Sequence, residues 1–65
     1  MTSNISKRMS KEERREQILE SALNIFIEKG YNGSTTMDIS KEAGISEVTL
    51  FRYFDSKKQI FMDAI

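Results

Sequence analysis

Sixty-five residues, 38% of them hydrophobic, make one small domain, below the roughly 70–80 residues at which a single core becomes comfortably stable. Without cysteine or histidine there is no disulfide and none of the usual zinc-ligand sets, so no metal or cofactor is expected. Net charge is zero, yet residues 1–15 hold Lys7, Arg8, Lys11, Arg14 and Arg15 against Glu12 and Glu13, a local balance of +3 that leaves −3 for the rest, and phosphate binding depends on the local patch.

The polar start, MTSNISKRMSK, lacks the apolar centre of a signal peptide, and no apolar run approaches the ~18 residues that span a bilayer. A cytoplasmic chain is the expectation. Met1–Met9 shows no periodicity and is expected to be a disordered basic arm; a solvated tail and an arm lying along a phosphate backbone fit it equally. Ser10 with Glu13 three residues on forms a capping box and starts the first helix. Ile18, Leu19, Ala22, Leu23, Ile25 and Phe26 then give an apolar stripe at helical spacing. Gly30 ends this helix, with Tyr31 folding back on Phe26 in a Schellman-like cap; a ligand-facing aromatic is the other use of such a tyrosine.

Asn32, Gly33 and Ser34 form a short loop, and Thr35 caps a second helix that has Asp38 at its third position. Thr36 lies in the first turn, where its hydroxyl and the free N–H groups suit a phosphate oxygen. Met37 reads as core or half-buried filler. Gly44 sits between two short helical patterns, where a positive φ lets one helix stop and the next leave steeply, and Ser46 caps the restart. Ile39, Ala43, Ile45, Leu50 and Phe54 fall where two crossed helices share one core, and Ser40 is small where their backbones approach. A DNA-binding helix-turn-helix and an ordinary helical hairpin share this spacing.

The third helix, about Glu47 to Phe54, points Leu50 and Phe54 inward and presents Val48 and Arg52 with Thr49 beside them, while Phe51 and Tyr53 flank the core face. In a major groove Arg52 suits a guanine, Val48 and the Thr49 methyl suit thymine methyls, and Glu47 suits a cytosine amino group. Ser56 and Gln59 form another capping-box pattern opening a fourth helix. Lys57 and Lys58 occupy its first turn, where the helix dipole disfavours positive charge by ~0.3–1 kcal/mol each; a bound phosphate would reverse that for Lys57, and two solvated lysines are the plainer explanation. Ile60, Phe61, Ala64 and Ile65 continue the stripe with no stop signal, so the chain is expected to be an excised N-terminal domain or an early-terminated product.

TTMDISKEAGISEVTLFRYFDSKKQIF resembles the DNA-binding signature of the TetR family of bacterial transcriptional regulators. Thr35, Thr36, Ile39, Ala43, Gly44, Ser46, Leu50, Tyr53, Phe54, Ser56 and Lys57 match that pattern, and ILESALNIFIEKGYNGST resembles the family's first helix and Gly-Tyr loop, so the likeness runs from about Arg14 to the end. The resemblance implies an all-α, three-helix helix-turn-helix domain of homeodomain-like form (residues 10–55, reading unit 35–54) followed by the truncated start of a fourth helix (56–65). It implies phosphate contacts from Thr36, Ser46, Phe51, Tyr53 and Lys57, base readout by Glu47, Val48, Thr49 and Arg52, and an N-terminal arm using Lys7 and Arg8. It further implies double-stranded DNA as partner, a palindromic operator for a full-length dimer, and a small-molecule effector held by a C-terminal domain absent from this chain; alone, these residues are expected to be mainly monomeric. Val48 stands where the family often has glycine, Phe51 replaces a frequent tyrosine and its phosphate-binding hydroxyl, and Glu47 brings a negative charge towards the DNA.

Two other function classes bear on the same residues. An enzyme lacks support, because the carboxylates fall on polar faces without pairing in a pocket and there is no glycine-rich phosphate loop. A protein-interaction module would bind through the apolar strip of the fourth helix and leave Val48, Thr49 and Arg52 free.

Overall fold

The computed structural model describes residues 9–65; Lys7 and Arg8, with the rest of the expected arm before Met9, lie outside the described residues. Four helices follow in order, α1 (Lys11–Lys29), α2 (Thr36–Ala43), α3 (Glu47–Tyr53) and α4 (Lys57–Ala64). The all-α expectation is met among the described residues.

Each helix starts where a side-chain oxygen replaces a missing intrahelical acceptor. Ser10 and Glu13 form the full reciprocal capping box at α1. Thr35 and Asp38 form another at α2. At α4 the box is half made: Ser56 Oγ accepts from the Gln59 N–H, but the Gln59 side chain accepts from the Asp55 N–H at 2.7 Å, one residue earlier than the motif requires. The expected box is corrected there: the Gln59 side chain satisfies the backbone N–H of the residue before the cap instead of the cap's own.

The two helix-ending glycines work differently. Gly44 is left-handed, φ 74° and ψ 31°; its N–H donates to Lys41 O at 3.1 Å and the Ile45 N–H donates to Ser40 O at 2.9 Å, the paired bonds of a Schellman motif. Gly30, at φ 76° and ψ 163°, lies instead in a region that essentially only glycine occupies, so the Schellman expectation at α1 is corrected. Its N–H still donates to Phe26 O, and Tyr31 does fold back, with its ring centroid 5.7 Å from that of Phe26. Gly44→Ala is expected to cost about 1–2 kcal/mol, the penalty for placing a Cβ on left-handed backbone, measured as a lowered urea midpoint with unchanged slope.

The core takes a large, fully buried side chain from every helix: Ile18 from α1, Ile39 from α2, Leu50 from α3 and Ile60 from α4. Burying each contributes roughly 1.5–3 kcal/mol. Phe54, just past the end of α3, closes the space between them. α1 packs against both α2 and α4, and α2 packs against α3, so the long helix is the scaffold for α2 and α4 and α3 is held chiefly through α2. Ser40 is buried at the crossing and its hydroxyl donates to Met37 O at 2.9 Å. Gln17 reaches from α1 to donate to the carbonyl of Ala43, satisfying an end of α2 that lacks an intrahelical donor.

Two expectations for apolar residues are corrected. Met37 is 51% exposed rather than core filler, because two residues at 100° each place it nearly opposite Ile39 on α2. Leu23 is only half-buried, and Ile27, one turn further on, is 81% exposed.

Asp38 links this framework to pH. Its carboxyl is held below its ordinary value chiefly by the Thr35 side chain, against partial desolvation, with the Thr35 N–H and the Lys29 ammonium assisting. A carboxyl depressed on folding contributes stability that is complete above the unfolded value of about 3.9 and is lost as pH falls through the folded value. Asp38→Asn is therefore expected to lower stability at neutral pH and to flatten the fall of the melting temperature below pH ~4, read by thermal melts across the acid range.

Candidate nucleic-acid interface

Three elements place the predicted residues. The N-cap of α2 carries Thr35 and then Thr36, the Schellman turn at Gly44 redirects the chain, and α3 begins at Glu47 with Ser46 as its cap. Because Leu50 is wholly buried, the opposite side of α3 faces outward. Val48 is 68% exposed, Phe51 46%, and Arg52 also stands in solvent. Val48 and Arg52 are four residues apart and so lie one turn apart on one face. Thr49 is half-buried, and its hydroxyl accepts from Ser46 Oγ at 3.2 Å, while Ser46 Oγ accepts the Thr49 N–H. The Ser46 and Thr49 hydroxyls thus occupy each other.

Thr36 and Glu47, assigned to phosphate and base respectively, are joined to one another. The Thr36 hydroxyl donates to Glu47 Oε2 at 2.6 Å. This turns the Glu47 carboxylate back towards the first turn of α2 while it also lies in the first turn of α3, a place favoured by both helix dipoles. A phosphate arriving at Thr36 would meet that carboxylate first.

Phe51 is exposed on the outer side rather than flanking the core. Having no donor or acceptor, it can meet a nucleic acid only by apolar contact with sugar or a base methyl. Tyr53 is half-buried and lines a cleft of about 340 Å³ together with Lys11, Glu12, Arg15 and Arg52. Three cations around one opening between the start of α1 and the end of α3 make an anion-facing feature. Lys11 and Arg15 have no site role in the sequence reading; the +3 balance of residues 1–15 is the signal that points to them. Arg15 is partly committed, donating to Asp63 Oδ2 at 2.8 Å with its guanidinium 5.3 Å from the centre of the Phe54 ring.

Lys57 stands apart from these. Its ammonium donates to Tyr31 O at 2.8 Å and to Ser34 O at 3.0 Å and lies 4.2 Å from the centre of the Tyr31 ring. Lys58 is exposed. Among the described residues no group of three or more carboxylates could hold a metal ion, and no helix is long and apolar enough to cross a membrane.

Two short helices joined through a left-handed glycine, the first packed on a longer helix and the second burying Leu50 while its outer face is exposed, define a helix-turn-helix domain. The family model described as bacterial regulatory proteins, tetR family, matches residues 18–64, and the chain belongs to that family. It is similar to the biofilm operon icaADBC HTH-type negative transcriptional regulator IcaR of Staphylococcus aureus (strain Newman), with 39% identity over 51 residues that cover 78% of this chain and 27% of the relative. The regulator of the same description from Staphylococcus epidermidis is 35% identical over 51 residues, covering 78% and 28% respectively. The match therefore spans about a quarter of the length of these curated relatives.

Proposed function

We propose that this chain is the reading head of a bacterial transcriptional repressor and binds double-stranded DNA with α3 in the major groove. The observation that carries the reading is the division of α3: Leu50 is sealed in the core while Val48, Phe51 and Arg52 project from the other side, as a helix needs when it must be held by one face and read with the other. Val48, Thr49 and Arg52 make the base contacts, with Glu47 a base contact only after release from Thr36. Thr36, Ser46 and Tyr53 hold phosphates, and the cleft of Lys11, Arg15 and Arg52 offers one more phosphate seat. Lys7 and Arg8 extend the contact along the backbone. Repression is taken from the relatives, both described as negative regulators. In a longer, dimeric cytoplasmic protein two such heads meet the halves of a palindromic operator, and a small molecule bound elsewhere in that protein sets their spacing.

Titration of this chain with a short generic duplex, followed by amide NMR at low salt and at ~0.2 M salt, tests the reading. Shifts at Thr36, Ser46–Tyr53 and the basic cleft that fade with salt are expected, since generic binding releases counterions and falls in the ~10⁻⁴–10⁻⁶ M range. Absence of any shift at ~1 mM duplex, well above that range, would sink it.

A further inference from the structure

We propose that Lys57 acts on DNA binding as a positioning residue, a strut that fixes the turn ahead of α2 and, through it, the first turn from which α2 meets phosphate; the proposal rests on the DNA-binding reading above. Residues Tyr31–Ser34 form a turn closed by the Ser34 N–H donating to Tyr31 O at 3.2 Å. The Lys57 ammonium bonds the carbonyls at both ends of that turn, Tyr31 O and Ser34 O. Its third direction is taken by the Tyr31 ring, 4.2 Å away, a cation–π contact. An ammonium has three donors, and here two carbonyls and a ring face take all three. A phosphate can engage Lys57 only by displacing one of them.

The turn being held leads directly into the interface. Ser34 is 2% exposed, its hydroxyl donates back to Gly30 O at 2.5 Å, and the next residues are Thr35, the cap of α2, and Thr36. Behind the turn, Tyr31 packs edge-on to Phe61 of α4 at 5.2 Å, and Phe61 packs edge-on to Phe26 of α1 at 5.5 Å. Lys57 is thus the polar end of an aromatic bracket joining α4, α1 and the turn before α2. The bracket also accounts for a positive charge in the first turn of α4, where the dipole disfavours it: the charge is directed across to the carbonyls of another segment.

Three variants of the chain separate a strut from a phosphate ligand. Lys57→Met removes the donors and keeps the unbranched stem. Lys58→Met removes the same charge from the same helical turn; Lys58 lies beside Tyr31 but makes neither of the carbonyl bonds that hold the turn, and Lys57→Arg keeps the charge but replaces the compact ammonium by a longer planar fork. The strut predicts that Lys57→Met shifts the amides of Tyr31–Thr36 in the DNA-free protein and weakens generic duplex binding about fivefold. Its slope of log affinity against log salt should change no more than that of Lys58→Met. The strut also predicts that Lys57→Arg disturbs the same amides and loses affinity with them. A direct phosphate contact predicts the opposite: an undisturbed turn, a slope reduced by about 0.9 in Lys57→Met only, and full binding by Lys57→Arg, since arginine is at least as good a phosphate ligand. Either that slope change with a quiet turn, or a displaced turn with wild-type affinity, overturns the proposal. Should Lys57→Met not fold, the Lys57→Arg pair of readouts decides alone. If the unaltered chain shows no salt-dependent binding, the DNA-binding reading falls; the amide shifts of the DNA-free variants still report whether the strut holds the turn, and a quiet turn there overturns it.

Discussion

Phe54→Ala is expected to remove from about a third to all of the domain's stability at room temperature. Phe54 is the largest of the fully buried side chains and only 2% exposed, and truncating a buried phenylalanine costs about 3–5 kcal/mol. For 65 residues the whole stability to be drawn on is roughly 3–10 kcal/mol at 0.05–0.15 kcal/mol per residue. Removing the ring also uncovers neighbours from other elements, because Phe54 fills the space beside Leu50 and carries the Arg15 guanidinium on its outer face. Far-UV circular dichroism with a thermal melt checks this, with Val48→Ala as the companion variant. Val48 is 68% exposed, so its truncation is expected to move stability by no more than about 0.5 kcal/mol. A cooperative Phe54→Ala melt within a few degrees of the parent would mean that the core does not depend on this ring.

Phe54 also shows how far sequence carries a structure of this kind. Its burial is legible, since it falls four residues after Leu50, but the reason differs. α3 ends at Tyr53, and Phe54 enters the core from extended backbone at φ −139°, not from the helical face that spacing implies. Caps are legible for a stronger reason: a hydroxyl and a carboxylate three residues apart satisfy each other's backbone locally, so Ser10–Glu13 and Thr35–Asp38 need no knowledge of the rest of the chain. The left-handed Gly44 and the fully buried Ile18, Ile39, Leu50 and Ile60 belong to the same local grammar of period and punctuation. Met37 is legible too, being nearly opposite Ile39 on the helical wheel; its apolar character misleads where its angle does not.

Most of the interactions that sequence does not reveal bridge distant segments. Lys57 to the 31–34 turn, Thr36 to Glu47, Arg15 to Asp63 and Gln17 to the Ala43 carbonyl depend on the angle at which helices cross. A period of 3.6 residues gives the face of each helix but not that angle. These interactions matter most at the site, because they decide which predicted polar groups are free. The proposed membership of the interface comes from sequence, by resemblance. The structure adds that Thr36, Glu47, Ser46, Thr49 and Lys57 are already hydrogen-bonded within the protein, so on the proposed reading DNA would have to exchange partners at several of them. Each exchange offsets part of the gain from a new interaction, which favours modest generic affinity and a steeper dependence on base sequence.

Arg52→Ala is expected to produce the largest drop in sequence discrimination of any single change on α3. Arg52 is exposed, one turn beyond Val48 on the outward face, and a bidentate arginine–guanine pair is worth about 1–3 kcal/mol of discrimination, a factor of roughly five to 150. Its second possible role comes from its place on the cleft shared with Lys11, Arg15 and Tyr53, where the same guanidinium suits a phosphate. The two roles leave different signatures when the side chain is removed. Removing a phosphate ligand weakens every duplex alike and lowers the salt slope by about one, whereas removing a base reader weakens the preferred duplex selectively and leaves generic binding little changed. Competition between duplexes selected from a random pool and a scrambled duplex, run with parent and variant across a salt series, reads both quantities together. Base readout requires the preference ratio to fall by about that factor with generic affinity nearly preserved. A ratio unchanged while both affinities fall in parallel would move Arg52 to the phosphate seat with Lys11 and Arg15 and leave Val48 and Thr49 as the readers, which would make this head one that recognises thymine methyls rather than guanine edges.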